Sequence, residues 1–176
     1  MTEPQTGRRR VRDATPADVR AIAEIRVASW RATYAGLIPE GVLAGMDVGR
    51  NEAWLTGRLA DPAASHTLVV EDEGGVVGYA LLGASRDLDA PGIGEVEAIY
   101  VAPQALGQGF GRALMEAALN RFVEAGFRAA ILWVLTGNVP ARRFYQQAGF
   151  VPDGHARMLT FDGTPVEEIR YRWSIG

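Results

Sequence analysis

The stretch that decides the fold is "EVEAIYVAPQALGQGFGRALMEAAL", residues 95–119. A β-rich apolar run ends at Pro103, three glycines follow within five positions (Gly107, Gly109 and Gly111), and a helix-type pattern begins at once. In a strand–turn–helix of this kind several backbone N–H groups point the same way from the helix N-terminus. The dipole there favours each well-placed negative charge by ~0.3–1 kcal/mol. Glycines let a bulky anion approach that backbone without a Cβ in the way. The loop reads as an anion cradle, with a tight connection that binds nothing as the other reading these residues allow.

Outward from this stretch the pattern alternates in kind. A short strand around Arg9 to Asp13 leads to "TPADVRAIAEIRVASWRATY", where Thr15 is placed to cap a helix, Pro16 stands first in it, and Val19, Ile22, Ala23, Ile25 and Trp30 make its apolar stripe. A short helix is predicted from Pro39, and another carries Trp54, Leu55, Arg58 and Leu59 before Asp61-Pro62. "HTLVVEDEGGVVGYALLGAS" is a hairpin turning at Gly74-Gly75, and "GIGEVEAIYVAP" is a third strand. A helix from Gly109 to Ala125, the strand "AAILWVL", a helix from Val139 to Ala148, and a pair "HARMLTF" and "VEEIRYRW" joined at Asp162-Gly163 complete the chain. The order β-αα-βββ-α-β-α-ββ mixes antiparallel hairpins with one strand–helix–strand crossover. It predicts one domain over 1–176, an α/β (α+β) layered sandwich.

Composition removes whole classes of chemistry. The 176 residues are 48% hydrophobic and 22% charged, the balance of one globular domain. A net charge of −3 and a pI near 5.4 argue against nucleic-acid binding, which needs a basic face. There is no cysteine, His66 and His155 stand far apart, and all 18 basic residues are arginine. Thiol nucleophiles, metal catalysis and lysine chemistry are therefore not expected. No apolar run has the ~20 residues of a membrane span, and the N-terminus has no signal-peptide core, so a cytoplasmic protein is expected. The basic run Arg8, Arg9, Arg10 and Arg12 reads as a solvated tail entering the first strand or as an anion patch.

Two phosphate-loop types fail at named positions. The Walker loop needs a lysine that the chain lacks, and the dinucleotide fingerprint starting at Gly107 meets Arg112 where its last glycine belongs. A second constellation is more informative: "NVPARRFYQQAGF", residues 138–150, puts Asn138 at a helix start and Ala141, Phe144, Tyr145 and Ala148 at helical spacing before Gly149. Taken with Val101, Pro103 and the glycines in that order, the sequence resembles the GNAT superfamily of acetyl-CoA-dependent N-acyltransferases, strongly over residues 67–152.

The resemblance implies a mixed, mostly antiparallel central sheet with helices on both faces and acetyl-CoA as acyl donor, with no metal. It places the pyrophosphate on the amides of Leu106, Gly107, Gln108, Gly109, Phe110, Gly111 and Arg112, with Arg112 or Arg143 near a phosphate. The pantetheine arm would run along Ile99, Tyr100 and Val101 and be lined by Asn138, Ala141 and Phe144. One position departs from the family pattern: Leu106 stands where arginine or glutamine is usual. A backbone N–H near Ile99 or Tyr100 would serve as oxyanion donor, Tyr145 as the acid for the leaving thiolate, and Glu95 or Glu97 as the base, since an alkylammonium of pKa ~10.4 must lose a proton before it attacks. Glu95 and Glu97 share one strand face.

Trp30 and Tyr34, i and i+4 on the first helix, together with Trp133, are candidate walls for the amine acceptor. A small molecule is the favoured acceptor. A peptide N-terminus, a silent acyl-CoA-binding module and an interaction-only domain are the other readings, and a homodimer is a family possibility.

Overall fold

The computed structural model describes residues 9–61 and 66–175; Arg8 of the basic run and Pro62 of the closing Asp61-Pro62 pair lie outside them. The strands are β1 (Arg10–Asp13), β2 (His66–Asp72), β3 (Gly75–Ala84), β4 (Gly94–Val101), β5 (Ala129–Leu135), β6 (Val151–Phe161) and β7 (Thr164–Ser174). The helices are α1 (Val19–Thr33), α2 (Glu40–Ala44), α3 (Val48–Leu59), α4 (Phe110–Glu124) and α5 (Val139–Gln147). Three helices separate β1 from β2, matching the three predicted segments; the abbreviated order β-αα-βββ counts one too few. Pro16–Asp18 forms a 3-10 turn ahead of α1 instead of its first turn.

One sheet takes the strands in the order β1-β2-β3-β4-β5-β7-β6. Every neighbouring pair is antiparallel except β4 and β5, the pair joined through α4. The alternation of β3 shows why both faces are covered. A Cβ on Gly78 would touch Leu114 of α4, whereas the next side chain, Tyr79, receives a hydrogen bond from Arg26 of α1. Successive strand residues face opposite ways, so α1 and α4 lie on opposite sides. Leu68, Val69, Val70, Leu81, Leu82, Leu114, Met115 and Ile22 are fully or almost fully buried in the two layers between them. No helix among the described residues is long and apolar enough to cross a membrane.

Arg9 and Arg10 are exposed, as a solvated run entering the first strand would be, but Arg12 is held in place. Arg12 bridges β1 to both neighbours, donating to Asp18 at 2.8 and 2.9 Å and to Glu71 at 3.0 Å. Asp18 is buried, also accepts the Thr15 N–H at 2.7 Å, and is pulled down to about 2, chiefly by Arg12. A depressed carboxylate contributes stability above its unfolded pKa of ~3.9 and loses it as pH falls through the folded value. Asp18→Asn is therefore expected to lower the free energy of denaturant unfolding by about 1–2 kcal/mol at pH 7. The deficit should narrow at pH 3, and an equal deficit at both pH values would contradict this origin.

Candidate active site

The site is built where β4 and β5 part. Their parallel register holds only at Gly94↔Ala130 and Glu95↔Ile131. Beyond it, the β4 edge that faces away from β3 has no strand partner among the described residues, so its outward backbone groups stay available apart from the Val101 carbonyl, which accepts from the Ser29 hydroxyl at 3.1 Å. A bulge contributes to the parting: Leu81 faces Ala98 but Leu82 faces Val96, leaving Glu97 as the extra residue. Bulges bend and twist a strand.

The gap is a cleft of about 270 Å³. Ile99, Tyr100 and Val101 form one wall, and Asn138, Ala141, Phe144 and Tyr145 of α5 form another. Leu106 and Gly111 line it from the glycine loop. Asn138 is buried and caps α5, its side-chain oxygen accepting the Ala141 N–H at 3.3 Å. Sequence reading missed Ser29 and Thr33, which also line this cleft. Their i, i+4 spacing on α1, polar residues beside an apolar stripe, was the available signal.

At the loop, Gly107 and Gly109 have φ of +74° and +83°, in the left-handed region that favours glycine. Gly109 immediately precedes α4, whose first N–H groups have no intrahelical acceptor. The remaining predicted loop residues divide by role. The Gln108 side chain donates to the Gln104 carbonyl at 3.2 Å, closing the turn. The Phe110 ring belongs to the core, so only its backbone is available to a ligand, and Arg112 pairs along the helix surface with Glu116 at 2.7 Å. Leu106 is 62% exposed. The neighbouring cation comes from elsewhere in the chain: Arg9 lies 5.7 Å over the Phe110 ring, and a Cβ on Gly109 would come within 2.8 Å of its Nη1.

A second cavity, about 120 Å³, shares Tyr34, Asn138 and Tyr145 with the cleft. Trp30, Tyr34 and Trp133 all line it, as their residue types suggested. The Trp30 and Tyr34 rings meet edge-on at 5.0 Å, and the Tyr34 and Tyr100 hydroxyls are 2.7 Å apart. Burial raises Tyr34 to about 12 and pushes Tyr145 further up, so both hydroxyls hold their protons at neutral pH.

Glu95 and Glu97 line neither cavity. Glu95 is 2% exposed and is held by Arg86 through Nη2 at 2.6 Å, Nε at 3.2 Å and the backbone N–H at 3.0 Å. Glu97 pairs with Arg58 and, at 3.6 Å, with Arg86. Two carboxylates on one strand face need cations, and here they have them. The acid that does line the second cavity is Glu168 of β7. Alternation could not single it out in "VEEIRYRW": its buried positions Glu168 and Arg170 are charged, so polarity does not mark the outward face.

A sheet parted between two parallel strands, with a glycine turn opening the helix between them, is the arrangement that the resemblance to N-acyltransferases implied. The comparisons give the class a family: the acetyltransferase (GNAT) family matches residues 22–150, and the chain belongs to it as an N-acetyltransferase. YuaI, an uncharacterized N-acetyltransferase of Bacillus subtilis, is 34% identical over 166 residues, 93% of this chain and 91% of that protein. The crystal structure of a ribosomal-protein-alanine N-acetyltransferase from Brucella melitensis superposes with a TM-score of 0.75 at 26% identity, covering 94% of this chain and 99% of that one. The PaiA N-acetyltransferase of Thermoplasma acidophilum, solved with coenzyme A, shares the fold at a TM-score of 0.74 and 18% identity over 96% of this chain and 99% of that one.

The glycines of the loop differ in what they tolerate. A side chain at Gly109 enters left-handed backbone at a cost of ~1–2 kcal/mol, while a Cβ at Gly111 would meet Phe144 at 3.5 Å and Val101 at 3.7 Å, ordinary contacts. Gly109→Ala should lower the melting temperature by about 3–6 °C and Gly111→Ala by much less. Equal shifts in thermal melts would contradict the assigned backbone.

Proposed function

We propose that the protein transfers the acetyl group of acetyl-CoA to a primary amine of a small molecule. The observation that carries this reading is the meeting of the two cavities at Tyr34, Asn138 and Tyr145. A donor reaching in along β4 and an acceptor entering between α1 and β7 would confront one another there.

The residues present suit the donor. Amides of Gly107 to Arg112 at the start of α4 receive the pyrophosphate, and the unpaired edge of Ile99–Val101 takes the pantetheine amides as a strand would. Arg9 supplies the charge that Leu106 does not. A guanidinium beside a helix N-terminus is disfavoured by the dipole, and an anion held between them removes that conflict. Coenzyme A bound in this way supplies a thioester carbonyl to the junction.

In the transfer, the acceptor's ammonium first releases one proton to solvent, the neutral amine forms its C–N bond to that carbonyl, a β4 amide near Ile99 or Tyr100 stabilises the oxyanion, and the C–S bond breaks. Tyr145, fully protonated and without a hydrogen-bond partner among the described residues, donates to the departing sulfur. Its raised pKa lies above the ~8.5 of an ordinary thiol, so it holds the thiolate by a hydrogen bond while the proton given up by the amine completes the thiol. Glu95 and Glu97, tied to Arg86 and Arg58, fix the bend of β4 in this reading instead of accepting the proton directly. The size of the acceptor cavity favours a small amine over a peptide, which needs an open groove.

Tyr145→Phe is expected to lower turnover by ~10²–10⁴-fold, followed by thiol release across a panel of amines, with calorimetric acetyl-CoA affinity unchanged. Unchanged turnover would remove Tyr145 from the chemistry. Arg9→Ala should weaken acetyl-CoA binding by about tenfold or more, and adding Leu106→Arg to that variant should recover the affinity. If affinity is insensitive to both changes, the phosphates do not sit at this loop.

A further inference from the structure

We infer that Glu168 is the anionic receptor for the acceptor's ammonium group, and that the acceptor cavity selects short cationic alkylamines. The inference rests on the amine-acetylating reading above and names the residue that recognises the amine. Glu168 is the one charged residue among those lining the cavity, whose other walls are aromatic, aliphatic or neutral.

Glu168 is 7% exposed, and a carboxylate so placed is costly unless partnered. Half of that requirement is met inside the protein. Arg157 donates through Nε to Oε1 and lays its guanidinium 4.0 Å over the Trp133 ring. Arg157 also approaches Asp87 at 3.6 Å, and Asp87 accepts the Trp133 indole N–H at 3.0 Å. The carboxylate and the ring beside it are thus set by one network that includes Arg170, which is 3% exposed and paired with Asp87, Asp89 and Asp153.

The other half is open. Oε2 of Glu168 receives no hydrogen bond from any described residue, yet it is not among the side-chain oxygens sealed from solvent without a partner. It is a carboxylate oxygen open to accessible space, on a side chain that lines a cavity whose other walls are apolar, aromatic or neutral. An ammonium supplies the missing donors, and the alkyl chain fits Leu159, Phe161 and the Trp30 and Tyr34 rings.

Size limits the class further. Pockets that enclose drug-sized ligands measure ~300–1,000 Å³, so a cavity of about 120 Å³ accepts a chain of a few carbons. An anionic acceptor would place like charge beside Glu168.

The test is binding of n-butylammonium, with n-butanol as its uncharged counterpart, to the whole protein saturated with coenzyme A, followed by NMR titration and calorimetry. Wild type should bind butylammonium more tightly than butanol. Glu168→Gln should weaken butylammonium by about 10- to 100-fold while leaving butanol and coenzyme A affinities unchanged. Glu168→Asp, which keeps the charge, should retain part of the preference and serves if the glutamine variant does not fold. Equal affinity of wild type and variant for butylammonium, or no preference over butanol in wild type, overturns the proposal. Failure of the wild type to bind coenzyme A at all instead overturns the acetyl-CoA reading on which it rests.

Discussion

The structure depends on β4 leaving β5 after two residue pairs. A parallel pair that continued would satisfy every backbone group and leave nothing for a ligand. By parting, β4 keeps a row of polar groups without a strand partner at the centre of the sheet, where edges are normally closed. Such an opening needs support, and the surrounding residues provide it. Phe122 of α4 packs so tightly on Gly94 that an added Cβ would lie 2.5 Å from its ring, which clamps the first of the two paired positions. Beyond that point Glu97 takes the bulge, and the arginines holding Glu95 and Glu97 fix the bend.

The same geometry orders the site. The strand that opens the cleft runs directly into the glycine turn, so edge amides and helix-terminal amides follow one another along the chain. In the proposed reading Ile99–Val101 and Gly107–Arg112 hold the two ends of the acyl donor in succession. The far wall comes from α5, which follows β5 and starts at buried Asn138. Parting two strands thus separates two walls carried by different segments, with Tyr145 placed where the two cavities join.

Much of this was legible in the sequence because it is local. The glycine loop, Asn138 as a cap, the hairpins and the crossover each follow from turn chemistry or periodicity within a short window, and their order led to the family. What was not legible depends on distant pairing. Arg9 sits more than ninety residues from the loop it reaches, and its neighbourhood marks it only as part of a basic run that reads equally as a solvated tail or an anion patch. Glu95 and Glu97 looked available because Arg58 and Arg86, their partners, belong to other segments. Glu168 was hidden for a different reason: β7 turns charged residues inward, where hydrophobic alternation gives no guide.

In the proposed function, the run of β4 that has no strand partner and the loop after it form the coenzyme A site. Amide hydrogen exchange with and without coenzyme A tests it most directly. The account predicts added protection at Ile99–Val101 and Gly107–Arg112, continuous across the strand and the loop. Unchanged exchange there with coenzyme A bound, or protection confined to another face of the sheet, would contradict it.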